Sequence, residues 1–393
     1  PTNTPEPTAT PAPTATRSPQ TAEPEAPAGP TAEPTKTPVV TTSVPAAGRV
    51  GGYFGYGIQA HIYGGDAQIY GLIQGMGFNW IKQQVEWSRV EPGSKGNYQW
   101  GDLDRIVNGA SAAGLRVLLS VVKAPAWARG GGADLSVEGP PVNPQDFADF
   151  LSALATRYRG RVQAYEVWNE QNLHYEWGNE PISASRYVEL LRVSYIAIKN
   201  ADAGAVVVSG APTPTGMNDG VIAIDDRAYL EQMYQAGLAR WCDAVGVHPS
   251  GYNNPPDADW RSYNDPTAPT FKGHPSFFFR GTMEGYRNIM VKYGDSGKRL
   301  WPTEFGWSTF ENLGAGAPAG YEYANNNTEG EQAAYLVQAF QMARNWGWVG
   351  PMFVWNLNFA PVAGPGDEKA GFGIVRSDWS PRPAYSALQS MAK

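Results

Sequence analysis

The sequence predicts an α/β fold, a (β/α)8 (TIM) barrel preceded by a disordered tether. Strand-like apolar runs alternate eight times with helix-like segments between residues 49 and 393. Such alternation implies a parallel sheet covered by helices, and eight units in this length close a barrel. No Gly-rich phosphate fingerprint follows an early strand, which counts against the alternative, a doubly wound nucleotide-binding sheet.

Residues 1–48 stand apart. They are dominated by Pro, Thr, Ala, Glu and Ser, and the first aromatic residue of the chain is Tyr53. Such a segment buries too little apolar surface to offset its ordering entropy. It reads as an extended, partly polyproline-like linker that spaces the 49–393 domain from a surface.

The elements of the barrel follow in order. Residues 53–62 (YFGYGIQAHI) form a glycine-broken first strand, and 67–76 a helix. Residues 78–84 (FNWIKQQ) form the second strand, which runs into Glu86-Trp87-Ser88-Arg89 and a turn at Glu91-Pro92-Gly93. A helix over 103–113 stops at Gly114. Residues 115–122 (LRVLLSVV) are almost continuously apolar, as in a strand covered on both faces. Asn143 can cap the next helix and Pro144 suits its first position. Phe147, Phe150, Leu151, Leu154 and Tyr158 then recur on one face. The fourth strand is 162–168 (VQAYEVW). A helix over 183–200, a strand over 205–209 and a helix over 227–238 follow.

The sixth strand, 242–247, ends at His248-Pro249. A long Pro- and aromatic-rich loop over 250–280 interrupts the rhythm; loops of this length are usually functional or disordered. Phe277, Phe278 and Phe279 point to packing within it. A helix over 282–293, the seventh strand over 300–304 and a second long loop over 310–327 come next. Thr328 and Glu331 make a capping-box pattern for a helix through Arg344. Residues 349–355 (VGPMFVW) are the eighth strand, and 384–391 a closing helix.

Barrel active sites lie at the C-terminal ends of the strands. Gln59, His61, Gln83, Glu86, Lys123, Asn169, Glu170, His248, Glu304, Trp355 and Asn356 fall there. This amide-rich set suits a ligand covered in hydroxyls, and Trp168, Trp307 and Trp355 offer indole faces for sugar C–H groups. Glu170 and Glu304 each follow an apolar run directly, and two carboxylates at one rim are what glycosidic bond cleavage requires. The four His residues have no metal-ligand spacing, and no G-x-S-x-G serine elbow exists. No metal or organic cofactor is therefore expected. Glu166, inside the fourth strand, reads as half of a structural pair. Glu176 and Glu180 read as solvated loop charges, with a subsite role as the alternative.

Trp168-Asn169-Glu170 after the fourth strand and Thr303-Glu304-Phe305-Gly306 after the seventh resemble glycoside hydrolase clan A. Within it, the WNE and PTEFGWST segments and the Glu86–Pro92 stretch are most similar to family 39 and related bacterial polysaccharide hydrolases. The resemblance implies a retaining glycosidase in which Glu170 is the general acid/base and Glu304 the nucleophile. It implies that Asn169 holds the sugar 2-hydroxyl, that Trp355 is the platform beneath the sugar and that His248 lies near the nucleophile. The β-xylosidases of family 39 carry an accessory β-domain after the barrel, whereas this chain ends soon after its eighth strand; that favours barrel-only relatives. Transglycosylation, an inverting mechanism and a catalytically silent glycan-binding barrel remain as alternatives.

The net charge of −7 is mild and Lys/Arg residues do not cluster, so a nucleic-acid partner is not expected. No apolar run reaches the roughly 18 residues of a membrane span. The single cysteine, Cys242, cannot form an intrachain disulfide and reads as a small buried side chain. The sequence begins at Pro1 with no apolar leader; with the tether, this points to an exported chain, extracellular or attached to a cell surface.

Overall fold

The computed structural model describes residues 53–264 and 273–393. The tether expected over 1–48 lies outside the described residues, as does part of the 250–280 loop. Eight parallel strands are β1 Gly55–Gln59, β2 Trp80–Glu86, β3 Arg116–Val122, β4 Ala164–Val167, β5 Val206–Ser209, β6 Val245–Val247, β7 Leu300–Pro302 and β8 Pro351–Val354. Six pair in the order β5-β4-β3-β2-β1-β8, and β6 pairs with β7. Parallel bridges between Val208 and Ala244, Leu300 and Val349, and Phe305 and Val354 close the ring, as the predicted barrel requires.

At the β5–β6 seam side chains add to a few backbone bonds, among them Ser209 N–H to the Ala244 carbonyl at 3.1 Å. Ser209 Oγ accepts the Gly246 N–H at 3.1 Å. The Asp243 carboxylate accepts the Val207 N–H at 2.9 Å and is held by Lys199 Nζ at 3.0 Å.

Period-two alternation sorts the strand residues. Trp80, Leu118, Ala164, Val206, Val208, Ala244, Trp301 and Phe353 form one buried cluster filling the barrel. Gly57 admits Phe353, since a Cβ there would come within 2.6 Å of the ring. The opposite face of β3, with Val117, Leu119 and Val121, joins the larger cluster beneath the helices. Above the apolar layer, Lys82, Ser120 and Glu166 are buried inside the barrel.

The helices are α1 Asp66–Gly75, α2 Trp87–Val90, α3 Gly101–Ala112, α4 Pro144–Arg157, α5 Ala184–Ala201, α6 Asp226–Gln235, α7 Phe279–Lys292, α8 Glu329–Trp346, α9 Phe359–Ala363 and α10 Pro383–Ser390. Asn143 caps α4 through the Gln145 N–H, and Phe147, Phe150, Leu151 and Leu154 are buried on its inner face. Thr328 and Glu331 form the expected capping box of α8.

Within the Glu86–Pro92 stretch, Trp87 and Glu91 are structural. Trp87, in the single turn α2, is fully buried, stacks on Phe150 at 5.5 Å and donates its indole N–H to Glu91 Oε2 at 2.5 Å. Phe278 and Phe279 are buried, and Phe279 packs on Phe305, Trp307 and Trp346. At the C-terminal end the buried Arg382 donates to Glu329 Oε1 at 2.9 Å and to the carbonyls of Thr309, Gly371 and Gly373. This fastens the last segment to α8 and to the loop after β7. Cys242 is buried, and burial pushes its thiol up to about 12. Among the described residues, no helix is long and apolar enough to cross a membrane.

Candidate active site

The end of β4 is bent to deliver its carboxylate. Trp168 and Glu170 both adopt left-handed backbone, with φ 72° and 44°. Non-glycine residues there cost about 1–3 kcal/mol each and persist only where the surroundings hold them. Here the Trp168 indole donates to the Glu176 carbonyl at 3.0 Å and packs against Phe147 and Trp177. The Glu170 N–H is tied to the Ala211 carbonyl at 3.0 Å. The chain between these anchors projects Asn169 and Glu170 into the barrel mouth.

Glu304 follows β7 and enters the same space. One oxygen each of Glu170 and Glu304 and one nitrogen of His248 lie within 4.8 Å of one another. Lys82, fully buried on β2, donates through Nζ to Glu304 Oε1 at 2.9 Å and lies 3.0 Å from Glu166 Oε2. Glu166 thus makes the structural pair expected of it, with a partner that also grips Glu304. The Glu170–His248–Glu304 trio is a donor set a divalent cation could use, but Lys82 and a protonated His248 already set two positive groups against these carboxylates.

His248 Nδ1 lies 2.9 Å from Glu170 Oε1 and 4.0 Å from Glu304 Oε2. It therefore bonds the β4 carboxylate rather than the β7 one, although it neighbours both. Burial opposes the His248 imidazolium, but the charge of Glu304 and the hydrogen bond and charge of Glu170 outweigh it and raise the imidazole above its usual value. Burial likewise opposes ionisation of Glu170, yet the hydrogen bond and charge of His248 hold its carboxyl below the usual range. The proton of this pair rests on His248.

The sign of the linkage follows from those shifts. A raised histidine stabilises the fold fully below its unfolded value near 6.5 and stops doing so as pH rises through the folded value. A lowered glutamate stabilises fully above about 4.5 and stops doing so as pH falls through its folded value. His248→Asn is expected to destabilise the protein by ~3 kcal/mol, the cost of breaking a buried ion pair. The Tm deficit against wild type is greatest between those two values and shrinks on both sides; a deficit independent of pH would contradict an ionised pair.

The other expected contacts divide. Asn169 is buried with its Oδ1 unpartnered. His61 stands edge-on to Trp355 at 5.6 Å; burial and the charges of Lys369 and Lys82 hold it at about 4, neutral, and its Nε2 has no partner. Trp355 is half-buried beside His61 and Phe359. Gln59 Oε1 and His248 Nε2 are also buried without partners.

Gln83 is a correction. Lys82 faces inward, so its neighbour on the strand faces outward: Gln83 donates to the Gln84 carbonyl and lines an outer recess with Ile62, Val90 and Leu103. Trp307 is a second correction. It is fully buried, donates to the Asn254 carbonyl at 2.8 Å and packs on Phe279 and Tyr335, so it has no face for a sugar. Trp168 is buried in the same way. Lys123 binds Glu138 at 2.7 Å and Glu86 at 3.3 Å rather than meeting the central carboxylates. Lys82 is the contact that sequence reasoning missed; its signal was the one cation inside the second strand, two residues after Trp80 and so on the same face.

A (β/α)8 barrel that brings carboxylates together from the ends of β4 and β7 defines glycoside hydrolase clan A. Residues 46–330 match Cellulase (glycosyl hydrolase family 5), and the chain belongs to that family. No curated protein sequence matches it. Among solved structures, the chain is similar to a family 39 glycoside hydrolase from Bacteroides cellulosilyticus WH2, with TM-score 0.66 and 23% identity over 89% of this chain. It spans 65% of that chain. A GH39 β-xylosidase from Caulobacter crescentus is similar with TM-score 0.58 and 20% identity, over 88% of this chain and 72% of that one. Xylanase 10B from Thermotoga maritima is similar with TM-score 0.55 and 15% identity, over 87% and 94%. At these identities the likeness is one of fold.

Proposed function

We propose that the chain is a retaining β-glycosidase that cleaves a polysaccharide or oligosaccharide through a glycosyl-enzyme intermediate. The observation that carries this reading is the approach of Glu170 and Glu304 oxygens to within 4.8 Å. Retaining pairs stand about 5–5.5 Å apart, whereas inverting pairs leave about 6.5–9.5 Å for a water. The buried, unpartnered polar atoms of Gln59, His61, Asn169 and His248 at the same mouth support a ligand rich in hydroxyls.

Glu304 attacks the anomeric carbon while Glu170 gives a proton to the leaving oxygen. The proton begins on His248, whose imidazolium is supported partly by the charge of Glu304. Forming the glycosyl ester removes that charge, so the Glu170–His248 pair becomes more acidic as the leaving group needs its proton. In the second step a water oxygen attacks the anomeric carbon as Glu170 takes its proton; the C–O bond to Glu304 breaks, and the carboxylate is regenerated against Lys82.

Activity on a panel of polysaccharides and aryl β-glycosides tests the reading, with product anomers followed by NMR. Retained β-configuration is expected. Glu170→Ala is expected to lose about 10²–10⁴-fold on substrates with poor leaving groups. It keeps slow release of activated aryl groups, and azide restores it by forming the β-glycosyl azide. An unimpaired Glu170→Ala would remove Glu170 from the mechanism. The composition of residues 1–48 supports placement outside the cell, with internal cleavage of a polymer as the working mode.

A further inference from the structure

The turn that delivers Glu170 is held open by a hydroxyl from the helix behind it. We propose that Tyr187, on α5, is a positioning residue for the acid/base. Its hydroxyl sets how far the end of β4 departs from β5, and so where the Glu170 carboxylate stands. The proposal rests on the glycosidase reading.

β4 and β5 pair in register as far as Val167 and Ser209. In a parallel ladder of this register the next rung joins the Gly210 N–H to the Val167 carbonyl. The Tyr187 hydroxyl stands in that rung. It accepts from the Gly210 N–H at 2.6 Å and donates to the Val167 carbonyl at 2.9 Å. Backbone pairing resumes where the Glu170 N–H meets the Ala211 carbonyl at 3.0 Å. Between those points β4 spends three residues, Trp168, Asn169 and Glu170, while β5 spends two, Gly210 and Ala211. One extra residue on one strand is the count of a β-bulge, a device that re-aims side chains beside active sites. The left-handed backbone at Trp168 and Glu170 takes up the excess.

Both sides of the gap fit the hydroxyl closely. Tyr187 is fully buried, and its ring stands edge-on to Trp177, which packs in turn on Trp168. On the β5 side, a Cβ at Gly210 would come within 2.6 Å of the Val167 carbonyl oxygen, 2.7 Å of Gln171 Oε1 and 2.9 Å of the Trp168 carbonyl oxygen. Glycine therefore lets β5 lie this near the turn. Gln171 Nε2 donates to the Gly210 carbonyl at 2.8 Å and ties the residue after Glu170 to the same place.

The nucleophile is anchored elsewhere, by Lys82 on β2. Loss of the Tyr187 hydroxyl lets the Val167 carbonyl and the Gly210 N–H meet directly. Closing that rung draws the β4 end towards β5 and carries Glu170 away from His248, which it meets at 2.9 Å. A displaced acid has a chemical signature. Departure of a dinitrophenolate needs no proton, whereas departure of a poorer leaving group does. A misplaced Glu170 beside an intact Glu304 therefore costs rate on poor leaving groups alone, while a loosened site costs rate on both.

The test is kcat/KM of the full chain carrying Tyr187→Phe on the 2,4-dinitrophenyl and phenyl β-glycosides of the sugar that wild type cleaves. The phenyl glycoside is expected to lose about 10–100-fold, part of what general acid catalysis supplies, and the dinitrophenyl glycoside less than about three-fold. Gly210→Ala, which presses on the same gap from β5, is expected to give the same pattern and serves if Tyr187→Phe does not fold. A crystal structure of the variant is expected to show Glu170 beyond hydrogen-bonding distance of His248, with the Lys82–Glu304 contact kept. An equal fall on both substrates, no fall on either, or an unmoved Glu170 overturns the proposal. If wild type cleaves no glycoside, the glycosidase reading falls. The crystal structure then decides the positioning role by itself: a moved Glu170 keeps it and an unmoved one removes it.

Discussion

Glu304→Gln is expected to abolish turnover, with kcat falling by about 10⁴–10⁶-fold. The amide keeps the shape of the side chain and can still accept from Lys82, which holds Oε1 at 2.9 Å in the wild type. What it loses is the charge that attacks the anomeric carbon. Because Glu304 is held by one cation and approached by His248 at 4.0 Å, the substitution removes a nucleophile without opening a cavity. The variant should fold and bind substrate, with a Tm close to wild type. The check is kcat beside Tm on one preparation: retained activity above about one part in a hundred would require another nucleophile, since a mispositioned amide cannot supply such a rate.

Lys82→Met is expected to produce the second large effect, and it acts on both stability and rate. Lys82 is fully buried between Glu166, also fully buried, and Glu304. Burial opposes its charge, yet the two carboxylates outweigh burial and raise it above the ordinary lysine value. Removing the ammonium strands Glu166 in the barrel interior, which costs ~3–5 kcal/mol. It also strips Glu304 of the donor that stabilises the departing carboxylate in the second step, a loss of about 10²–10³ in kcat. The double variant Lys82→Met/Glu166→Gln separates the two effects, since it removes the stranded charge but restores no donor to Glu304. Its Tm should recover while kcat stays low. A double variant that regained activity would make Lys82 a folding residue only.

The two carboxylates were legible because each stands at the end of an apolar run, where alternation of strands and helices fixes a shared rim. Their separation was not legible, because it depends on how far the left-handed turn at Trp168–Glu170 swings the β4 end across the mouth. Choosing Gln83 over Lys82 was an error of one residue, and a period of two turns one residue into the opposite face. Two opposite charges within predicted strands, Lys82 in β2 and Glu166 in β4, were the available signal for their pairing. Trp307 and Trp168 were misread because a tryptophan beside a catalytic residue serves equally as platform or as core. Only side-chain direction separates those roles, and it comes from contacts such as Trp307 with Asn254 and Phe279 that lie far apart in the chain.

The ring of strands is assembled from a sheet of six and a sheet of two, joined by isolated bridges and a few backbone bonds, which the Ser209 and Asp243 side chains reinforce at the β5–β6 joint. Glu170 follows a strand of the larger piece, whereas Glu304 and His248 follow strands of the smaller. The chemical step therefore spans two joints, and the working distance between acid and nucleophile is a hinge coordinate as well as a property of the two residues. Slight loosening at either joint would blunt catalysis while nearly all helices and strands stayed in place, so the thinnest bonding in the barrel governs its most demanding dimension.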